Sequence, residues 1–133
     1  MITIDCDDKE LLKKFEKKFT YGCGWFRKIP MKDRLYLLEL KVYELLDMDY
    51  SKRQYKFQIK LYPNGKRLRK ILGDKRKRMV ACYIHRTRNI HLASMRNRVV
   101  AHELAHGVFD SFIGRRPPGE MGEIIAHYVM RRI

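Results

Sequence analysis

The amino-acid pattern predicts an α+β fold: a small, mostly antiparallel sheet packed with helices. Four stretches repeat apolar residues at helical spacing, near 7–19, 31–46, 95–113 and 120–132. Four shorter ones, at 55–61, 66–72, 79–85 and 89–94, read as strands, and the turn residues between them are of the hairpin kind. With 133 residues, 45% of them hydrophobic and 34% charged, the chain is expected to form a single domain, 1–133, with a modest core of its own.

In DDKELLKKFEKKF, Leu11, Leu12, Phe15 and Phe19 share a face, with acids early and lysines late as the helix dipole favours. TYGCGWF breaks that pattern with two glycines and reads as a loop. Pro30 opens a second helix, whose buried face is Leu35, Leu38, Val42, Leu45 and Leu46; Leu37 and Leu40 leave a strand reading open. Tyr55, Phe57, Ile59 and Leu61 alternate with polar residues, so this is a half-buried strand. The PNG at 63–65 turns it into a hairpin with KRLRKIL. GDKRKR at 73–78 is a charged loop, and MVACYIH and NIHLAS are two more strands joined at RTR. Ser94 is the expected N-cap of a long helix over 95–113 that stops at Gly114. RRPPG connects it to a last helix whose apolar face is Met121, Ile124, Ile125, Tyr128 and Val129.

The net charge of +15 is uneven. Residues 1–51 carry ten basic and ten acidic side chains and 99–133 carry four of each, whereas 52–98 carries sixteen Lys and Arg against Asp74 alone. Such a segment favours an anionic partner, nucleic acid or an acidic protein. No helix-turn-helix, RRM or zinc-finger pattern accompanies it. No apolar run is long enough to span a bilayer, and the acidic start MITIDCDDKE lacks the features of a signal peptide, so a cytoplasmic location is expected. Cys6, Cys23 and Cys82 form no CxxC pair and are expected to be free thiols.

The chemistry concentrates in VVAHELAHGVF, 99–109. On a helix, His102 and His106 stand one turn apart on one face, where two imidazoles can grip one metal ion. Glu103 lies beside them. Zinc lowers the pKa of a water in its open position toward neutrality, and a carboxylate can take that proton as the water attacks a carbonyl. HExxH is therefore a compact pattern for hydrolytic zinc chemistry. A catalytic zinc wants a third protein ligand, and Glu123, His127 and Glu120 compete for the place. Asp110, on the same helix as both histidines, is poorly placed to converge with them. Glu123 is favoured because its helix can fold back along the first, and the small Ala126 would let the two approach closely.

HELAH at 102–106 followed by GEIIAHYV at 122–129 resembles the zincin metallopeptidases, specifically the gluzincin branch. The short chain resembles the soluble minigluzincins and, less closely, ImmA-like peptidases; the likeness covers about residues 80–133. It implies a zincin-like fold with an active-site helix and a C-terminal glutamate helix, and zinc-dependent endopeptidase activity on a peptide or protein substrate. It also implies Zn2+ on His102, His106 and Glu123, Glu103 as general base, and Asn89, Ile90, His91, Leu92 and Ala93 as the substrate-pairing edge strand. His127 stands where thermolysin-like relatives carry an aspartate that orients the first zinc histidine, which makes it the candidate for that outer position. The metzincin pattern is absent, since Phe109 occupies its glycine position, and no third histidine follows His106 before His127. Tyr128, His127, His91, His85 and Arg115 are the candidates for stabilising a transition-state oxyanion. So small a domain leaves little protein for specificity pockets, so latency or direction by a partner is expected. The competing function is a basic nucleic-acid-associated protein whose zinc site is regulatory or inactive.

Overall fold

The structure, a computed structural model, describes residues 2–25, 27–73, 78–114 and 119–133. Strand β1 (Ile2–Asp5) leads into helices α1 (Lys9–Lys18) and α2 (Met31–Leu45). Strand β2 (Phe57–Leu61) is followed by helix α3 (Gly65–Leu72) and the hairpin of β3 (Ala81–Ile84) and β4 (Asn89–Leu92). Helices α4 (Asn97–Ile113) and α5 (Gly119–Met130) follow, and a 3-10 turn spans Tyr50–Lys52. The fold is α+β, as expected, but the sheet is not mostly antiparallel.

Its strand order is β1-β2-β4-β3. β1 pairs with β2 in parallel (Ile4 opposite Ile59) and β2 pairs with β4 in parallel (Ile59 opposite Ile90). Only β3 and β4 are antiparallel, with Cys82 opposite His91. The cause is α3. Its sequence KRLRKIL is not the return strand of a hairpin, because the Asn64 side chain accepts from the Arg67 N–H at 2.8 Å and caps a helix there. Gly73, at φ +67°, closes that helix in the left-handed conformation. A helix after β2 makes a crossover, and a crossover delivers the next central strand parallel. The β1 strand has no counterpart in the sequence expectations; its Ile2 and Ile4 point to the core while Thr3 and Asp5 stay exposed.

One face of the sheet carries the core. Phe57, Ile59 and Leu61 from β2 and Ile90 and Leu92 from β4 meet Phe15 and Phe19, Leu35, Leu38 and Val42, Val100, Leu104 and Val108, and Ala126 and Val129. These come from α1 and its C-cap, α2, α4 and α5, so four helices stack on that face. The opposite face holds a smaller cluster of Tyr62, Leu68 and Ala93. The expected faces of α1 and α2 are the buried ones. That of α5 is only partly so: Val129 is buried as expected, but Gly122 and Ala126 take the rest of the inward face, and Met121, Ile124 and Tyr128 remain 41–68% exposed. Small residues let α5 lie close on α4, and the larger apolar ones are left outside.

Ser94 does not cap α4. Its N–H bonds to the Val80 carbonyl at 3.1 Å, continuing the extended run from β4, and Arg96 occupies the cap position. Gly114, at φ +73°, ends the helix where expected. Residues 74–77 of the charged loop and 115–118 of the proline connector, Arg115 included, lie outside the described residues. No helix among the described residues is long and apolar enough to cross a membrane.

Candidate metal centre

α4 has a residue pattern that serves two surfaces. Val100, Ala101, Leu104, Ala105 and Val108 are fully buried in the core. His102 and His106 leave the helix on a flank turned toward α5, each partly exposed, with ring centroids 4.9 Å apart. α5 brings Glu123 to them: His106 Nε2 lies 3.0 Å from Glu123 Oε1, and His102 Nε2 lies 3.4 Å from Glu123 Oε2. Two imidazoles thus address the two oxygens of one carboxylate. The close approach follows from Gly122 and Ala126, which flank Glu123 on the packed face of α5.

The donor set fits zinc. One ring nitrogen of each histidine and a Glu123 oxygen all lie within 4.8 Å of one another. Tetrahedral zinc with bonds of about 2.1 Å holds its donors roughly 3.4 Å apart. The 3.0 Å from His106 to one Glu123 oxygen and the 3.4 Å from His102 to the other are of that order. Burial pushes the His102 imidazole below its ordinary pKa, the neighbouring His106 adds to this, and Glu123 opposes it. Burial also depresses His106, again against Glu123. Both therefore favour the neutral form that a metal requires.

Glu103 is buried at 7% exposure, and its Oε1 lies 3.9 Å from His102 Nε2, next to the cluster rather than in it. His127 is one turn beyond Glu123. Its Nε2 is 3.6 Å from Glu123 Oε2, and its ring packs edge-to-face on His102 at 5.0 Å. It therefore touches both the Glu123 carboxylate and the His102 imidazole, but it is not one of the three converging donors. Glu120, the other acidic candidate, is exposed in the first turn of α5 and lies outside the cluster.

Asp110 has a different role from ligation. It is 1% exposed, accepts from the Tyr83 hydroxyl at 2.8 Å and pairs with His85 Nδ1 at 2.6 Å. Burial, followed by that bond to Asp110, raises the Tyr83 pKa far above the phenol range. Asp110 thereby fastens α4 to β3 and the turn after it. The signal was in the sequence as spacing: Asp110 is one helical turn past His106, so it leaves the same side of α4 nearer the sheet. Gly107 completes the seam. A Cβ there would sit 2.7 Å from Phe57 Cε1 and 3.1 Å from Tyr83 Cε1, so only glycine lets α4 settle onto the sheet.

The segment Asn89, Ile90, His91, Leu92, Ala93 is not an edge strand. β4 is paired on both sides, with β2 and with β3, because the parallel crossover places it inside the sheet. The strand that ends the sheet next to α4 is β3. His91 is buried and its Nδ1 shares a 2.8 Å hydrogen bond with the Tyr62 hydroxyl, on the face away from the main core. His85 is held by Asp110, and the Tyr128 ring is half-exposed under the Arg132 guanidinium at 3.7 Å. Comparison with family models, with curated proteins and with solved structures finds no match to this chain.

Proposed function

We propose that the chain is a zinc-dependent peptidase of gluzincin type. The observation that carries the reading is the convergence of His102, His106 and the Glu123 carboxylate from two separate helices, with buried Glu103 beside them. Zinc bound there would act as a Lewis acid toward water and toward the scissile carbonyl. Glu103 is the proton carrier, taking a proton from the attacking water and returning it to the leaving amine nitrogen. Its burial keeps it close to the ligands and screens it from competing water. His127, against Glu123 and His102, holds the ligands in orientation.

An extended substrate has one obvious template. Among the described residues β3 pairs with β4 alone and packs against α4, so its other edge could receive a peptide by strand addition. The test is direct. The zinc-loaded protein should hold one equivalent of zinc and cleave a denatured protein substrate such as casein. His102→Ala should lose the metal, and Glu103→Gln should keep it while losing cleavage. Full cleavage by Glu103→Gln, or less than a tenth of an equivalent of zinc after reconstitution, would remove this reading.

A further inference from the structure

The two helices of the metal centre carry a second feature at one end of it. Arg98 stands on the same ridge of α4 as His102, one turn before it and about 6 Å along the axis. On α5 the ridge of Glu123 and His127 continues to Arg131, whose N–H still bonds to the His127 carbonyl at 3.1 Å. The contacts between the ridges fix their relative direction. His106 meets Glu123, and His102 meets both Glu123 and His127, so a step toward the start of α4 is a step toward the end of α5. Arg98 and Arg131 therefore lie at the same end of the cleft, each one turn beyond the contact of His102 with His127.

Both side chains are exposed, and neither pairs with a carboxylate among the described residues. Their surroundings are cationic too. Arg96, exposed at the start of α4, adds a third guanidinium. The Thr20 N–H donates to Asn97 Oδ1 at 2.8 Å, which brings the end of α1 to this place, and its last turn carries Lys17 and Lys18. Arg132, by contrast, is occupied: it donates to the Tyr128 carbonyl at 3.0 Å and lies over the Tyr128 ring. The acids of the same two helices are elsewhere. Glu103 and Glu123 lie beside the histidines, Asp110 is buried against Tyr83 and His85, and Glu120 sits in the first turn of α5, at the opposite end. The cleft is thus polarised along its length, cationic where Arg98 and Arg131 stand.

The path of a peptide leads there. β3 runs beside α4 in the same sense: the Val80 carbonyl before it accepts from the Ser94 N–H, just ahead of α4, and His85 after it reaches Asp110 near the other end. A strand added to β3 would follow the α4 axis past the metal centre and on toward Arg98. An extended peptide advances about 3.4 Å per residue, so a side chain roughly two to three residues from the scissile bond would come level with the arginine pair. Guanidinium forks match a carboxylate in shape as well as charge. On the peptidase reading proposed above, we infer that Arg98 and Arg131 form a subsite for an Asp or Glu side chain of the substrate, so that the protein selects acidic polypeptides.

The test separates binding from cleavage. The zinc-loaded Glu103→Gln protein is titrated with a short labelled peptide rich in Glu, and with its Gln counterpart, both with blocked termini. Anisotropy should show the acidic peptide binding at least about tenfold more tightly, the worth of one charge-assisted contact. Arg98→Gln with Arg131→Gln should reduce that preference to below about threefold, the residue left to the general field of the protein. Lys66→Gln with Lys70→Gln removes the same formal charge from exposed positions on α3, across the sheet, and should keep the preference. The inference is overturned if the arginine variant keeps the preference, if the α3 variant loses it equally, or if neither peptide binds. A preference that appears only for a peptide with an unblocked C-terminus would overturn it as well. So would an oligonucleotide that loses affinity in the arginine variant while the two peptides bind alike. Cleavage by the Glu103 protein is scored apart: acidic preference without cleavage removes the peptidase reading and leaves the subsite, and cleavage of both peptides alike without preference removes the subsite alone.

Discussion

Gly107→Ala sets two effects of opposite sign against each other. In the interior of a 17-residue helix the substitution removes backbone freedom from the unfolded chain, which favours folding by about 1 kcal/mol. Against this, the new methyl would lie 2.7 Å from Phe57 Cε1 and 3.1 Å from Phe57 Cζ and Tyr83 Cε1. Neither ring has easy room to retreat. Phe57 is 1% exposed, and the two rings pack edge-to-face at 6.0 Å. Overpacking of a dense core costs about 1–3 kcal/mol, and contact with two interlocked rings belongs in the upper half of that range. The packing term wins, for a net loss of about 1–2 kcal/mol. At about 2.1 cal/mol/K per residue the melting temperature should drop by roughly 4–7 °C. Circular dichroism melts of the metal-free protein measure this. Phe57→Leu, weakly destabilising alone, should relieve the clash, so the double variant should be more stable than the sum of the single effects. A Gly107→Ala protein that melts above the parent would mean that propensity dominates and that α4 does not rest on β2 and β3 as described.

Asp110→Ala should cost roughly 1–3 kcal/mol, because it strands the partly buried Tyr83 hydroxyl and removes the partner of His85; no measurable change in urea unfolding would contradict this. Ala126→Leu, at a fully buried position on the side of α5 facing α4, should force the helices apart and draw Glu123 from the histidines. Zinc affinity should then fall in competition with a chromogenic chelator while far-ultraviolet circular dichroism is retained. His127→Ala should weaken zinc binding roughly tenfold through lost support of Glu123 and His102, with the stoichiometry unchanged. Burial lowers the His91, His102 and His106 pKa values, so the unfolded chain takes up protons first as the solution is acidified. The contribution of these groups to stability is therefore complete above the ordinary imidazole value of 6.5 and is lost as pH falls toward their lowered folded values. Melting temperatures of the metal-free protein should decline from pH 7.5 to pH 5, less steeply in His91→Gln.

Which parts of this were readable from the chain depends on the distance over which each is decided. His102 and His106 are paired by four residues of one helix, so spacing alone places them. Glu123 needed a second helix, yet Ala126 signalled the close approach that brings it in. The sheet was not readable. Whether β2 returns as a hairpin or crosses over rests on Asn64, which serves equally as a turn residue or as a helix cap. Choosing the turn made the sheet antiparallel and left β4 at its edge. The α5 face was right only at Val129, for a related reason: Met121, Ile124 and Tyr128 have the apolar period of a buried stripe, but nearer the site the close helix neighbour accommodates only Gly122 and Ala126.

The two sides of α4 bear on the proposed chemistry together. His102, Glu103 and His106 would set the position of the reacting centre, while Gly107 and Asp110 set how far β3 lies from the helix that carries them. Both sets are fixed to one rigid element within three turns, so the edge that would receive a peptide and the groups that would cleave it cannot drift independently. A loop placed between them would need extra contacts to hold the same register. In a chain of 133 residues, with few side chains to spare for a separate binding wall, that shared helix is the most economical source of alignment between template and site.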